Sequence, residues 1–174
     1  MVIYAPTFRY DGNMDVYTVD CERILKLLNS KGGSWKMLIR LHPNIAEKAD
    51  FFEYNEDIIN ASTYTDMQEL LLASDILITD YSSTVFEFSA MQKASYIYAT
   101  DIDEYQSIRG LKQDFFKMPF RVCKTNEELL EIMQEYSKEY AEDVAAKFNE
   151  IFGSVDNGTA SKQVVARIQQ VVEK

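Results

Sequence analysis

Short apolar segments alternate with helical segments along the first part of the chain, and this alternation restricts the possible folds more than any other feature. The segments predicted as strands are residues 2–5, 35–42, 57–61, 75–80 and 94–100. The segments predicted as helices between them are residues 19–33, 44–52, 65–74 and 85–92. Buried strands that alternate with helices favour parallel strands joined by crossover helices. The sequence therefore predicts an α/β domain built on a doubly wound parallel sheet.

The rest of the chain has a mainly helical pattern after a short apolar piece at residues 120–123. Thr125 and Glu128 have capping-box spacing, which predicts a helix start there. A last helix repeats apolar residues at helical spacing, and we expect this apolar face to be buried. The face consists of Val164, Val165, Ile168 and Val172. Since 174 residues suit one ordinary domain and no linker divides them, we predict a single domain over residues 1–174.

Charge and residue counts exclude several classes of function. The net charge of −10 argues against a nucleic-acid-binding surface, which needs excess Lys and Arg. No apolar run approaches the roughly 18 residues of a membrane-spanning helix and no signal peptide is recognised, so a soluble protein is expected. Cys21 and Cys123 form no CxxC motif, which favours a reducing cytoplasm over a disulfide framework or zinc site. Because His42 is the only histidine and no carboxylate cluster stands out, we predict neither a metal nor a cofactor.

Polar residues follow three of the predicted strands at the point where each strand ends. Arg9 follows the first strand, and Arg40 and His42 close the second, two positions apart and therefore on one face. The sequence "DYSST" at residues 80–84 follows the fourth strand. Because ligands of open parallel sheets bind outside the carboxyl ends of the strands, we expect these groups to meet at one edge.

The hydroxyl groups of residues 80–84 admit two interpretations. Thr84 and Glu87 have capping-box spacing, so a helix can begin at Thr84. Its free N–H groups and partial positive charge would then face a phosphate, to which Ser82 and Ser83 would add hydroxyl donors. The same residues are also typical of a simple helix cap, and without glycine they form no P-loop. Spacing alone leaves both interpretations open.

The other candidate residues also have two interpretations each. Arg40 lies in a strand predicted to be buried on both faces, so it needs either a bound anion or a carboxylate of the protein. A single histidine before a proline, such as His42, is in isolation more often structural than catalytic. Arg109 follows the fifth strand and could add a cation, although a surface loop with a helix cap has the same pattern. Gly158 and Ser161 mark another helix start, where a turn and a cap are the default.

Several of these segments together carry a family resemblance. They are "YAPTFR" (4–9), "RLHP" (40–43), "SDILITDYSSTVFEF" (74–88), a tyrosine and "RG" within 105–110, and "DNGTASK" (156–162). In this order, across nearly the whole chain, they resemble the C-terminal half of the CDP-glycerol glycerophosphotransferase family, the teichoic-acid polymerases and primases. The most specific motif is "DYSS" after the "ILIT" strand, followed by "RLHP".

The resemblance implies a GT-B architecture, in which two Rossmann-like domains face each other and the second holds the activated donor. We therefore expect this chain to be the donor-binding half of an excised or naturally truncated protein. The acceptor-side domain and its histidine base are then absent from the chain, which we expect to be inactive alone. The resemblance further implies that the parent protein lies peripherally on the inner face of the plasma membrane and uses a lipid-linked polymer acceptor.

The reaction implied by the resemblance is the attack of a terminal hydroxyl of a glycerol-phosphate chain on the glycerol-bearing phosphorus of CDP-glycerol, which releases CMP. The sequence does not distinguish glycerol from ribitol in the donor. Carried over to this chain, the family pattern places His42, Ser82 and Ser83 on the pyrophosphate, with the helix near Thr84 pointing at it. The supporting candidates are Arg9, Arg40 and Arg109, and the late family positions correspond to Asp156, Gly158 and Ser161.

One departure and two rival functions bear on this interpretation. The family usually has Pro-Gly where this chain has Pro119 and Phe120, in a loop expected near the cytosine, so the identity of the base is open. One rival is a GT-B glycosyltransferase that uses a nucleotide sugar for cell-surface polysaccharide, with Asp80 or Glu87 binding the ribose. The other is a non-catalytic flavodoxin-like or receiver-like interaction module. A receiver needs paired acidic residues after the first strand and a lysine after the fifth, which "YAPTFR" and "YIYATDID" do not supply.

Overall fold

The structure is a computed structural model that describes residues 1–155 and 157–173. Its strands form one sheet in which every neighbouring pair is parallel. The strands are β1 (Val2–Tyr4), β2 (Met37–Ile39), β3 (Ile58–Asn60), β4 (Ile76–Thr79), β5 (Ala94–Tyr98) and β6 (Val122–Cys123). Their spatial order is β3-β2-β1-β4-β5-β6. This is the order of a Rossmann-like sheet, and it confirms the predicted doubly wound parallel α/β domain.

Helices connect and follow these strands. They are α1 (Cys21–Ser30), α2 (Met67–Ala73), α3 (Thr84–Ala90), α4 (Ile102–Arg109), α5 (Asn126–Met133), α6 (Lys138–Phe152) and α7 (Ala160–Val172), with 3₁₀ segments at Pro43–Phe51 and Gln113–Lys117. Local capping explains where some of them begin, since Asp20 accepts the Arg23 N–H before α1. Thr125 accepts the Glu128 N–H before α5, as its spacing predicts. Among the described helices, none is both long and apolar enough to cross a membrane.

The central strands are buried because helices cover both faces of the sheet. Successive strand residues point to opposite faces. Tyr4 and Ile78 therefore pack on the face covered by α1 and α5. Ile3 and Leu77 pack on the opposite face, against apolar residues of α2 and α3. Burial on both faces is what makes these strands appear as continuous apolar runs in the sequence.

Two connecting segments differ from the sequence-based prediction. The segment predicted as a helix at residues 44–52 is a 3₁₀ segment interrupted at Ile45, whose φ of −132° is not helical. The sequence predicts no helix within residues 101–114, where the structure has α4. Only Ile102 of α4 is buried, so the helix lacks the repeated apolar residues that would reveal it.

The prediction that the last helix buries its apolar face is wrong. Every residue of α7 is exposed, and Val164, Val165, Ile168 and Val172 are 58%, 54%, 56% and 77% exposed. The sheet in this region is already covered by α6, which packs on β5 and α3. No other element of the described chain makes an extensive contact with α7. Apolar periodicity identifies the face of a helix, but not the partner that would bury it.

Candidate functional site

The order of the strands reverses between β1 and β4, and a pocket opens at the carboxyl edge of the sheet there. We call it the switch-point pocket. Its volume is about 440 Å³, and it is lined by residues 5–8, 40–43, 67 and 81–84. Open parallel sheets bind ligands in the crevice at such a reversal. The pocket brings together half of the site residues predicted from the sequence: Arg40, His42, Ser82, Ser83 and Thr84.

Arg40 is a buried cation in the wall of this pocket. The residue is 9% exposed, and its Nη1 donates to the carbonyls of Leu41 at 2.5 Å and Ser62 at 2.9 Å. Its Nε is buried without a hydrogen-bond partner. Burial lowers the pKa of Arg40, and no carboxylate of the described residues counteracts this. The internal ion pair that the sequence left open is therefore not observed in the described chain, and the pocket contains an unneutralised positive charge.

His42 lines the pocket next to this charge. Its ring packs on Phe8, with 4.6 Å between the ring centres, and its Nδ1 accepts the Asn44 N–H at 3.2 Å. Burial, and then the charge of Arg40, lower the pKa of His42. The imidazole is therefore neutral near neutral pH in the unliganded protein. Since Nδ1 is an acceptor, the hydrogen lies on Nε2, which is available to donate to a ligand.

The turn between β4 and α3 supplies the hydroxyl groups. Ser82 Oγ accepts the Thr84 N–H at 3.3 Å and the Thr84 hydroxyl at 3.0 Å. The N-cap residue of α3 is Ser83, which makes no side-chain cap hydrogen bond. The expected capping box between Thr84 and Glu87 is therefore wrong, because Thr84 is the first helical residue and its hydroxyl turns back to Ser82. Both serines retain a hydroxyl hydrogen that these bonds do not use.

Thr7 belongs to the pocket and is absent from the residues predicted from the sequence. Its buried Oγ1, like Arg40 Nε, makes no hydrogen bond of ordinary geometry, but it lies close enough to the Asp80 carboxylate to oppose the rise in the pKa of Asp80 that burial causes. Thr7 and Arg40 both line the switch-point pocket. Buried polar atoms of native proteins nearly always have partners, so the unpartnered Nε of Arg40 beside the weakly bonded Thr7 hydroxyl indicates a polar ligand. The only sequence signal for Thr7 is its position directly after the first strand.

A second pocket, which we call the apolar chamber, adjoins the first. It also measures about 440 Å³ and shares residues 81–83 with the switch-point pocket. Most of its other walls are apolar: Phe86, Leu111, Phe115, Met118 and Phe152. Phe120 does not line it, because its ring packs against Phe148 with 5.4 Å between the ring centres. A pocket that contains an arginine and hydroxyl groups, beside one with several aromatic walls, suits a ligand with a charged part and a flat ring.

Arg9 and Arg109 line a third, smaller pocket of about 200 Å³ and do not line the switch-point pocket. Arg9 pairs with Asp101 at 2.6 Å and with Asp80 at 2.9 Å. Burial opposes its charge, but the two carboxylates raise the pKa of Arg9. Arg109 ends α4 and is exposed, with its guanidinium carbon 4.1 Å from the centre of the Tyr10 ring. Arg9 is therefore held by two carboxylates and Arg109 lies on an aromatic ring, and neither lines the pocket that contains Arg40.

The late candidates are not brought to these pockets. Asp156 lies outside the described residues. Gly158 and Ser161 are exposed just before and within α7. Of the three pockets described above, none is lined by either residue. Their predicted contact with a ligand therefore stays a prediction.

The remaining reactive groups do not change the chemistry of the site. Among the side chains that the structure describes, no group of three His, Cys, Asp or Glu residues is placed to hold a metal ion. Burial raises the pKa of both Cys21 and Cys123 to about 12, so neither thiol is ionised near neutral pH. The switch-point pocket can thus neutralise and hydrogen-bond an anion with an arginine, a histidine and hydroxyl groups.

Comparisons with known proteins agree on one family. The family model for CDP-Glycerol:Poly(glycerophosphate) glycerophosphotransferase matches residues 1–170. The teichoic acid poly(glycerol phosphate) polymerase of Bacillus spizizenii is 33% identical over 180 residues, covering 97% of this chain and 44% of that protein. The teichoic acid poly(ribitol-phosphate) polymerase of the same organism is 29% identical over 174 residues, covering 97% and 27%. A structure of the wall teichoic acid polymerase TagF, 29% identical, has a TM-score of 0.76 over 99% of this chain and 43% of its own. This chain thus spans less than half the length of these relatives.

Proposed function

Because this chain belongs to the CDP-glycerol:poly(glycerophosphate) glycerophosphotransferase family, we propose that it is the donor-binding half of a polyol-phosphate transferase. The donor is a CDP-linked polyol, with glycerol and ribitol both represented among the relatives by their polymerases. The transfer adds a polyol phosphate to a growing teichoic-acid polymer and releases CMP. The second domain of a GT-B pair then supplies the acceptor side. A lipid-linked acceptor would place the parent protein on the inner face of the plasma membrane.

The observation that carries the proposal is the buried, unneutralised Arg40 in the switch-point pocket. A pyrophosphate brings negative charge and several acceptor oxygens, so it supplies the partner that Arg40 Nε lacks and a further acceptor for the Thr7 hydroxyl. His42 Nε2 and the hydroxyl groups of Ser82 and Ser83 add further donors. The same donors stabilise the leaving CMP, whose phosphate gains charge as the bridging P–O bond breaks. This chain therefore contributes binding and charge neutralisation, and not the base.

The apolar chamber is the proposed place of the cytosine. It shares residues 81–83 with the phosphate subsite, and its aromatic walls suit a flat base. The packing of Phe120 against Phe148 keeps that bulky ring out of the chamber's lining. The proposed roles of Thr84, Arg109, Asp156, Gly158 and Ser161 are supporting contacts to the bound donor.

Calorimetric titration of this chain with CDP-glycerol, CDP-ribitol, CMP, UDP-glucose and GDP-mannose tests the proposal. We expect binding of at least one CDP-polyol and weaker binding of CMP, because CMP lacks the second phosphate. Neither sugar nucleotide should compete. Tighter binding of UDP-glucose or GDP-mannose would assign the site to a nucleotide-sugar glycosyltransferase. Failure of all these ligands to bind would contradict a donor site on this chain.

Removal of both serine hydroxyls is expected to weaken CDP-glycerol binding. In the double variant Ser82→Ala with Ser83→Ala, we expect the Kd to rise about tenfold, because two hydrogen bonds to a charged ligand are lost. Ser30→Ala is the matched control, since Ser30 ends α1 and lies at the opposite edge of the sheet. Calorimetry measures both, and circular dichroism checks the fold. An unchanged Kd in the folded double variant would remove these hydroxyls from the phosphate subsite.

His42 makes the pH dependence of binding distinctive. A bound pyrophosphate favours the imidazolium and reverses the lowering of its pKa in the free protein. Affinity for CDP-glycerol, which has no group that titrates near neutral pH, should therefore rise several-fold, by about a factor of three to ten, from about pH 8 to about pH 6. In the unliganded protein the lowered pKa of His42 has a different consequence. The free energy of unfolding decreases as the pH drops through about 6.5, the pKa of histidine in the unfolded chain. In His42→Asn both dependences should flatten, and an undiminished rise in affinity would exclude His42 from the phosphate subsite.

A further inference from the structure

We propose that Arg9, Asp80 and Asp101 are positioning residues, which hold the walls of the switch-point pocket in place and do not bind the donor's phosphates. The inference rests on the proposed function, because it gives a cluster outside the pocket a role in donor binding. It also departs from the family resemblance, by which Arg9 would support the pyrophosphate.

Arg9 has almost no hydrogen-bonding capacity left for a ligand. A guanidinium has five N–H donors. Asp101 accepts hydrogen bonds from Nε at 2.6 Å and from Nη2 at 2.9 Å. Nη2 also donates to Asp80 at 2.9 Å, and Nη1 donates to the Thr7 carbonyl. The side chain is also only 9% exposed. One N–H of Nη1 is left, so a phosphate that bound Arg9 through two hydrogen bonds would have to displace one of these acceptors.

Asp80 connects the walls that face each other across the pocket. One of its oxygens accepts the Thr7 N–H at 2.8 Å and the Tyr81 N–H at 2.6 Å. Thr7 lies in the loop after β1, and Tyr81 opens the turn after β4. Both residues line the switch-point pocket. A shift of Asp80 would consequently move both walls together.

Asp101 adds the end of β5 to this connection. Besides Arg9, it accepts the Tyr81 hydroxyl at 2.9 Å. The Tyr81 ring stacks on Tyr105 of α4, with 3.7 Å between the ring centres and 19° between the planes. Asp80 thus accepts the Tyr81 N–H, and Asp101 accepts the Tyr81 hydroxyl. Arg9 bridges these two carboxylates. The cluster ties together the ends of β1, β4 and β5.

Electrostatics support the same assignment. The cluster sets two carboxyl groups against one guanidinium, so it offers a pyrophosphate no net positive charge. Burial acts against ionisation of Asp101, but the hydrogen bonds and charge of Arg9 hold the pKa of Asp101 below its ordinary value. By Coulomb's law its negative charge opposes an anion bound nearby. Any benefit of Asp101 to donor binding must therefore come from geometry.

The variants Arg9→Lys and Asp101→Asn separate geometry from charge. Lysine keeps the charge but cannot form the bidentate pair, and asparagine removes a negative charge. We expect each to weaken CDP-glycerol binding at least about tenfold in calorimetry, whereas Coulomb's law alone predicts tighter binding by Asp101→Asn. Asp103→Asn is the matched control, because Asp103 lies two residues further on in the first turn of α4, is 86% exposed and pairs with Lys124. Affinities of both variants within about twofold of this control would overturn the proposal.

The salt dependence of binding distinguishes positioning from direct contact. A cation that contacts a phosphate makes the affinity fall more steeply with ionic strength. For Arg9→Gln we expect weaker binding with the wild-type slope, because Arg9 touches no phosphate. A shallower slope than that of the wild type would identify Arg9 as a phosphate ligand and overturn the proposal.

A measurement without ligand keeps this inference separate from the proposed function. Asp80 holds the amide hydrogens of Thr7 and Tyr81, so their exchange with deuterium reports on the cluster directly. Asp101→Asn should speed exchange at both amides about tenfold relative to Asp103→Asn, and equal exchange would overturn the positioning role. If the wild type binds no CDP-glycerol, the proposed function fails, and the exchange rates alone decide whether the cluster holds the pocket walls.

Discussion

Replacement of Asp80 by alanine is expected to lower the free energy of unfolding by about 3–5 kcal/mol. Asp80 is 2% exposed, and its carboxylate accepts the Thr7 and Tyr81 N–H groups at 2.8 and 2.6 Å. It also pairs with the buried Arg9 at 2.9 Å. Alanine removes all of these acceptors. Two backbone N–H groups and one side of a guanidinium are then left without partners in the interior, which is the main cost.

Urea denaturation measures this loss, and a surface ion pair provides the control. Asp57 pairs with Lys36 at 3.2 Å but is 59% exposed, so Asp57→Ala should cost no more than about 0.5 kcal/mol. Asp80→Asn keeps one acceptor oxygen and should fall between the two. If Asp80→Ala costs less than about 1 kcal/mol, the cluster does not contribute substantially to folding.

The fold could be predicted because its buried strands and its helix starts each leave a local pattern in the sequence. Strands β1, β4 and β5 are buried on both faces, so each appears as an uninterrupted apolar run. Polar caps such as Asp66 and Thr125 mark where α2 and α5 begin, and they accept the N–H groups of Glu69 and Glu128. These signals are local, and for that reason they are visible in a single sequence.

The switch-point pocket could be predicted in part, for a related reason. Arg40, His42 and the serines at 82 and 83 follow directly after strands, and parallel strands place such residues at one edge. Arg9 also follows a strand, but its pairing with Asp101 joins residues 92 positions apart and depends on how β5 and α4 pack. No spacing rule distinguishes an arginine held by carboxylates from one that is free to bind an anion.

The error in α7 has a different cause. Its valines and Ile168 repeat at helical spacing and yet are exposed, because no other element of the described chain packs extensively against α7. Hydrophobic periodicity records that a face is suited to burial, whereas burial itself requires a second surface. The helix was therefore predicted correctly, and only its environment was wrong.

The substitution with the largest expected effect on binding is Arg40→Gln. We expect it to weaken CDP-glycerol binding about 100-fold, equivalent to about 3 kcal/mol, because a buried charge-assisted contact to the pyrophosphate is lost. Glutamine can still donate to the carbonyls of Leu41 and Ser62 that Arg40 contacts. No carboxylate of the described chain loses a partner, so the free energy of unfolding should change by less than about 1 kcal/mol. Binding and stability thus respond independently at this residue.

Calorimetry and urea denaturation on the same preparations test this separation. Arg23→Gln is the matched control, because it changes the net charge equally but lies on the exposed surface of α1, paired with Glu127. Its affinity should stay within about twofold of the wild type. Arg40→Lys, which keeps the charge without the Nε donor, should bind with intermediate affinity. If Arg40→Gln binds the donor as tightly as Arg23→Gln does, the charge of Arg40 is structural, and the pocket at the strand reversal needs another explanation.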